Sequence, residues 1–376
     1  MLWLSPFAFL LVFSLAWSTL VLSCNEFLLH SWMAGRMMIG RGDGLGVHPA
    51  QGSNWAAWAI SIVNGFWGDY LQEAGNGLEV EMAFYQHGRA LTLDKERLAA
   101  AQPEATGRVC ILVHGLACNE HLWALPAPTA VDAAPQPPAD YGTLLRDELG
   151  FTPYYLRYNS GLAVATNGKA LAELLDQLYT QHPVPIEEIL IIAHSMGGLI
   201  VRSACHYGVQ HAEPWVQAVK HVFYLGTPHD GADLARLAHT AEVVLHAVPN
   251  PITRLIGDVF GVRSQGIKDL RHGTLIEPDV IDEGSDDVTH HHQRAVPWLA
   301  HAQHYLVAGT VRGDANHIAA VLLGDGLVSA PAAEHAVIPP ANIRLFPGVR
   351  HLQLAHHAEV YQQIKQWRQQ AEPAGE

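Results

Sequence analysis

The chain has 376 residues, of which 49% are hydrophobic and only 15% charged, and this composition argues against wholesale disorder. Its 36 acidic and 22 basic side chains give a formal net charge of -14, which argues against a protein that tracks nucleic-acid phosphates. The length suits one large domain with an appendage or two ordinary domains. Only four cysteines are present, which argues against a disulfide framework.

The amino terminus is predicted to meet a membrane. Residues 2–23 carry no charged side chain, and as a helix they would span roughly 33 Å, enough to cross a bilayer. We predict a transmembrane anchor or signal segment over residues 1–23. An uncleaved anchor is favoured over a cleaved export signal because no basic side chain precedes the apolar run, and a merely buried helix is the third alternative. The side of the membrane that holds the rest of the chain stays undecided.

Residues 24–77 continue this apolar character and form the predicted membrane-proximal segment. Six of the ten tryptophans lie within the first 67 residues, and tryptophan favours the membrane–water interface. The stretch WAAWAISIVNGFW at 55–67 has two open interpretations: it lies on the bilayer, or it packs as a helix on the domain that follows.

From residue 78 onward, extended and helical patterns alternate. Strands are predicted at 78–93 (a hairpin around His87-Gly88), 109–114, 153–157, 186–193, 221–225, 305–308 and 343–346. Helices are predicted at 141–149, 163–178, 196–207 and 356–369. Residues 95–107 are interpreted as a polar linker, 124–140 as a proline-rich surface insertion, about 228–300 as an insertion or cap, and 371–376 as a disordered tail. The order predicts an α/β domain over 78–370, with a mostly parallel sheet covered by helices on both faces.

One turn carries the strongest chemical signal. In IIAHSMGGLI (191–200) a buried strand runs through small residues into a helix, with Ser195 at the tip. This is the nucleophile-elbow pattern G-x-S-x-G with Ala193 in the first position, and it predicts Ser195 as a nucleophile. His194 is rejected as its base because adjacent side chains diverge at such a turn.

A serine nucleophile that attacks an acyl group needs two N–H donors where negative charge develops. The residue after the nucleophile, Met196, supplies one of them. Val113-His114-Gly115-Leu116 ends an earlier strand, so the N–H of Leu116 is the second candidate, and His114 is interpreted as a structural residue.

The acid and the base are expected later in the chain, in that order. His351 lies on the loop after the last predicted strand and is the candidate base, whereas His356 and His357, one helix turn on, are interpreted as surface or rim residues. Asp325, between two glycines, is favoured over Asp314 as the acid that orients His351, and Glu334 is a distant third.

With these residues placed, the chain resembles the α/β-hydrolase superfamily from about residue 78 to 370, and within it lipases and the bacterial relatives of GPI inositol-deacylase-like lipases. The segments that carry the resemblance are VHGLACNEHLW (113–123), LRYNSGLAVATNGKALAELL (156–175), AHSMGG (193–198), LGTPHDGADLA (225–235), IKDLRHG (267–273), GDGLV (324–328) and HLQLAHHAEVY (351–361). The resemblance implies an ester hydrolase that works through an acyl-enzyme, with Ser195, Asp325 and His351 as the triad.

The sequence therefore predicts a serine carboxylic-ester hydrolase of the lipase or esterase type, acting on lipid or other apolar esters at a membrane. Open alternatives are an acyltransferase or thioesterase with the same triad, and a catalytically silent membrane-binding module on the same fold. No cofactor, nucleic acid or obligate protein partner is expected. His290-His291-His292 follows several acidic residues, and it is interpreted as an exposed loop rather than a metal site.

Overall fold

The computed structural model describes residues 55–75, 77–126, 139–229, 264–277, 296–310 and 338–371. Several predictions fall outside these residues: the span within 1–23, most of the insertion 124–140, the stretch His290-His291-His292, the tail from 372, and the acid candidates Asp314, Asp325 and Glu334. Among the described helices, none combines the length and the apolar character needed to cross a bilayer.

The described elements follow the predicted alternation. The strands are β1 (Ala83–Gln86), β2 (Arg89–Ala90), β3 (Arg108–Val113), β4 (Thr152–Arg157), β5 (Glu188–His194), β6 (Val219–Leu225), β7 (Gln303–Thr310) and β8 (Ile343–Pro347). The helices are α1 (Trp55–Ala74), α2 (Lys95–Ala101), α3 (Tyr141–Leu149), α4 (Val164–Gln181), α5 (Met196–Gln210), α6 (Trp215–Ala218), α7 (Gln265–His272) and α8 (Ala358–Gln370).

The described strands form one sheet of eight in the order β2-β1-β4-β3-β5-β6-β7-β8. Strands β3 to β8 run parallel. At one end of the sheet β1 pairs antiparallel with β4, and β2 pairs antiparallel with β1. The central strands β3, β5 and β6 are buried along nearly their whole length, which explains their continuous apolar runs. The mostly parallel α/β fold predicted from the sequence is therefore confirmed.

The register of the central strands fixes where the candidate site forms. Val113, the last residue of β3, lies opposite Ala193 of β5, and His194 lies opposite Leu225, the last residue of β6. The turns that follow these three strands consequently leave the sheet side by side at its carboxyl edge. Strand β7 also ends at this edge, because Val307 lies opposite Leu225.

Residues 95–107 are not the linker predicted from the sequence, because they begin with α2. The Asp94 carboxylate accepts a hydrogen bond from the N–H of Arg97 and caps this helix. Leu98 is fully buried in the core, which fixes the helix on the domain. Alanine favours helices, so the alanine content of this stretch is compatible with a helix as well as with a loop.

The tryptophan-rich stretch forms most of α1, which packs on the rest of the described domain. The Asn64 side chain donates to the carbonyl of Leu78 at 2.8 Å and accepts from the N–H of Val80 at 3.0 Å, so it ties the helix to the chain that leads into β1. Ile62 is buried in the core. Of the two interpretations of residues 55–67, the packed helix is the one the structure shows.

Candidate active site

Ser195 lies at the tip of the turn between β5 and α5. Its backbone has φ 54° and ψ -126°, a conformation that a residue with a Cβ rarely adopts and that costs of order 1–3 kcal/mol. The N–H of Ser195 donates to the carbonyl of Leu225 at 2.9 Å, which anchors the turn to the end of β6. Strain held in this way at a strand-to-helix turn is the geometry expected of a nucleophile elbow.

The loop after β3 lies directly against Ser195. A Cβ atom built on Gly115 would come within 2.9 Å of the Cβ of Ser195, so only glycine allows this approach. The N–H of the next residue, Leu116, and that of Met196, the first residue of α5, have no hydrogen-bond partner among the described residues. N–H groups at the start of a helix lack an internal partner and carry partial positive charge. Both donors are thus available to a developing oxyanion.

His351 lies on the loop after β8, where the chain enters a short 3₁₀ turn at Leu352–Ala355. Its ring packs against the end of β6, since a Cβ atom on Gly226 would lie 2.8 Å from Nδ1 of His351. The structure thereby brings His351 to the edge that holds Ser195, Leu116 and Met196. The structure contains no hydrogen bond between Ser195 Oγ and His351. In other enzymes the hydrogen bond between nucleophile and base often forms fully only when substrate binds.

Burial sets the protonation state of His351. Its Nε2 atom is inaccessible to solvent and has no partner among the described residues, although part of the side chain is exposed. Burial lowers the pKa of His351 to about 4 because the charged imidazolium loses its hydration. The ring is therefore neutral at pH 7, the form that can accept a proton from a serine hydroxyl.

His194 contacts the candidate base rather than acting as one. A carbonyl oxygen can only accept, so the contact of 2.9 Å between His194 Nε2 and the His351 carbonyl is a hydrogen bond donated by His194. The two rings lie 4.8 Å apart, and Nδ1 of His194 is buried without a described partner. The sequence contained no signal for this contact, because the two residues are 157 positions apart.

The surroundings of two other histidines of the region, His114 and His356, are also described. His114 is fully buried, stacks on Tyr158 at 4.4 Å and donates from Nδ1 to the Gly115 carbonyl, which are the contacts of a structural residue. His356 was interpreted as a surface or rim residue but is buried, and its Nδ1 lies 3.2 Å from the Leu122 carbonyl. His356 follows the 3₁₀ turn Leu352–Ala355, and its contact with Leu122 holds it against the domain.

The acid of the triad stays a prediction, because Asp325, Asp314 and Glu334 all lie outside the described residues. Within the described ranges, no group of three or more histidine, cysteine or carboxylate side chains could hold a metal ion. The histidine and acidic residues of 282–292 also lie outside those ranges, so their interpretation as an exposed loop stays a prediction.

The sheet order, the elbow and the adjacent loop define an α/β-hydrolase fold. Residues 104–282, just under half of the chain, match the family model of the PGAP1-like alpha/beta domain. This match includes the elbow and the loop after β3, and it confirms the resemblance stated from the sequence. No curated protein matches the chain.

Solved structures similar to this chain include two ester hydrolases of bacteria. The lipase BlEst2 of Bacillus licheniformis, in its mature form, is 16% identical over 69% of this chain and 91% of its own, with a TM-score of 0.41. A thermophilic esterase from Thermogutta terrifontis is 15% identical over 71% of this chain and 91% of its own, with a TM-score of 0.37.

Proposed function

We propose that this protein is a serine carboxylic-ester hydrolase that works through an acyl-enzyme. The observation that carries the proposal is the strained elbow of Ser195, with two unbonded N–H groups and a neutral histidine, its Nε2 inaccessible to solvent, gathered at the same edge of the sheet. A strained backbone persists only where the surrounding structure holds it, and such strain clusters at active sites.

The proposed reaction assigns a role to each of these groups in both half-reactions. His351 Nε2 takes the proton of Ser195 Oγ as the oxygen attacks the ester carbonyl, and the N–H groups of Leu116 and Met196 bind the oxyanion. The proton then passes to the leaving alkoxide, and an alcohol departs. Water, deprotonated by His351, then attacks the acyl carbonyl; the bond to Ser195 Oγ breaks, the carboxylic acid departs, and His351 returns the proton to Oγ. Asp325 is proposed to orient His351 and to stabilise its charged form.

We infer that the substrates are lipids or other apolar esters. The side chains of Leu116 and Met196, which belong to the residues of the two oxyanion donors, are both apolar, and this supports an apolar acyl group beside them. A series of p-nitrophenyl esters of increasing chain length tests this inference. We expect kcat/KM to rise with chain length, and a steady fall from the acetate onward would contradict the assignment.

Hydrolysis by Ser195 is tested with a matched pair of serine variants. Ser195→Ala should abolish ester hydrolysis, whereas Ser203→Ala, which removes another buried hydroxyl of α5, should retain it. Equal activity of Ser195→Ala and the wild type would contradict the proposal. Equal losses in the two variants would show that damage to α5, and not loss of the nucleophile, explains the effect.

We also propose that residues 2–23 hold the protein on a membrane, as their uncharged apolar run supports. The helix α1 adds exposed apolar surface at Ile60 and Tyr70. In a membrane fraction, the full chain should resist carbonate extraction and yield to detergent, and a variant lacking residues 2–23 should be released by carbonate. Release of the full chain by carbonate would contradict a membrane span.

A further inference from the structure

The tryptophan-rich helix α1 touches the loop that carries the proposed oxyanion donor. We call residues 114–119 the oxyanion loop. A Cβ atom built on Gly65 of α1 would lie 2.8 Å from the Cβ of Ala117 and 2.9 Å from its Cα. Real Cβ atoms essentially never come so close to another carbon, so the helix and the loop are in contact through backbone at this point.

A buried hydrogen bond joins the same two segments. The amide of Asn119 donates to the hydroxyl of Ser61 at 3.2 Å, and both side chains are buried. The side-chain oxygen Oδ1 of Asn119 in turn accepts from the N–H of His121 at 3.0 Å. Ser61 therefore fixes the end of the oxyanion loop from the side of α1.

A second loop holds Ala117 and is itself packed on α1. The hydroxyl of Ser160 accepts from the N–H of Ala117 at 2.9 Å. The neighbouring Asn159 donates to the carbonyl of Gly68 at 3.0 Å, at the kink where Trp67 leaves helical geometry. Helix α1 thus supports the oxyanion loop directly through Gly65 and indirectly through the loop after β4.

Helix α1 also forms hydrogen bonds with the amino end of α7. The hydroxyl of Ser264 donates to the Gly65 carbonyl at 2.8 Å, and the N–H of Gln265 donates to the Asp69 carboxylate at 3.1 Å. Helix α1 is consequently held between α7 and the oxyanion loop, so it cannot shift without breaking contacts on both sides.

We propose that α1 positions the oxyanion hole, with Gly65 and Ser61 as positioning residues; this inference rests on the proposed hydrolase function. The N–H of Leu116 is adjacent in sequence to Ala117, whose backbone α1 fixes. An oxyanion donor stabilises the transition state only at the correct distance, and displacement by about 1 Å can cost about 100-fold in rate. Contacts of α1 therefore act on kcat through the placement of one N–H group.

The test compares two glycines at which an added Cβ atom would meet a neighbour closer than 3.0 Å. Gly65→Ala forces a methyl group against the oxyanion loop, whereas Gly208→Ala forces one against Trp215, 2.6 Å away at the far end of α5. We expect Gly65→Ala to lower kcat by about tenfold or more with little change in KM, since the donor acts in the transition state. Gly208→Ala should lower the melting temperature without a selective loss of kcat.

Hydrogen–deuterium exchange of peptides covering 114–119 gives a readout independent of catalysis. Exchange there should quicken in Gly65→Ala and stay at the wild-type rate in Gly208→Ala. Should Gly65→Ala fail to fold, Ser61→Ala removes the acceptor of Asn119 without adding volume, and its kcat should fall by about fivefold. Ser203→Ala is its matched control.

Unchanged kcat and exchange in Gly65→Ala, or equal changes in Gly65→Ala and Gly208→Ala, would overturn the positioning role. A wild-type protein that hydrolyses no ester would instead overturn the proposed function. In that event the exchange comparison still decides whether α1 holds the oxyanion loop.

Discussion

The two ends of strand β5 surround their polar groups in opposite ways. At the amino edge, Nε and Nη2 of Arg368 each donate to the Glu188 carboxylate of β5 at 2.7 Å, and this carboxylate lies 3.3 Å from Arg108 Nε. At the carboxyl edge of the same strand, His194 leaves a buried ring nitrogen without a described partner, and so does His351. At Glu188 the charge is paired within the fold, whereas at His194 and His351, where we propose chemistry, ring nitrogens are left without a described partner.

The largest effect should come from the base at the carboxyl edge. His351→Gln removes the proposed proton acceptor, and we expect kcat to fall by about 10⁵-fold, as in other enzymes with such a triad. His301→Gln, which replaces an exposed histidine next to the amino edge, should keep wild-type kcat. Steady-state ester hydrolysis measures both, and near-wild-type activity of His351→Gln would remove His351 from the mechanism.

Acidification should destabilise the fold through histidines buried in the neutral form. Burial lowers the pKa of His114 to about 4 and holds the pKa of His194 well below its usual value. Below pH 6.5 these histidines bind protons in the unfolded chain but stay neutral in the folded chain. The free energy of unfolding therefore falls as the pH falls from 6.5 towards 4. Each such histidine contributes a slope approaching about 1.4 kcal/mol per pH unit.

Urea unfolding between pH 7.5 and pH 5 measures this slope. His194→Phe fills the same buried site without a titratable group, so it should reduce the slope by the share of one histidine. A free energy of unfolding that stays constant over this range would contradict neutral burial of the His114 and His194 rings.

At the amino edge, the expected loss is in stability and not in chemistry. Glu188→Gln leaves Arg368, which is buried, facing a neutral partner, and breaking a buried pair of this kind costs about 3–5 kcal/mol. Thermal melts should show the loss, while kcat of the folded protein stays at the wild-type value. A fall in kcat without a fall in melting temperature would contradict a purely stabilising role for Glu188.

The smallest of these effects concerns the hydrogen bond from His194 to the His351 carbonyl. His194→Phe should lower kcat by about tenfold, because the backbone that carries the base loses one donor. His194→Gln, whose amide can donate from a similar position, should recover most of the activity. Equal losses in both variants would show that packing, and not the hydrogen bond, is what His194 supplies.

The sequence predicted the parts of the molecule whose signals are local. The buried runs that became β3, β5 and β6 and the small residues around Ser195 are readable from neighbouring positions alone, and the hairpin at His87-Gly88 follows from a turn signal. The helix α2 was missed because its alanines were taken for a linker, although Asp94 offered a capping signal.

Contacts between distant segments could not be predicted. The approach of Gly65 to Ala117 and the bond from His194 to His351 depend on how the strands order themselves, which no single stretch of sequence encodes. The burial of His356 has the same origin, since its partner Leu122 lies 234 positions away. The acid Asp325 stays a prediction on the pattern of its flanking glycines.

Covalent labelling tests the central claim most directly. The full chain is treated with a fluorophosphonate probe at pH 7.5, and the modified residue is located by peptide mass mapping. The account predicts one adduct, on Ser195, which is absent in Ser195→Ala and present in Ser203→Ala. Failure of the wild type to label, or an adduct that persists in Ser195→Ala, would contradict it.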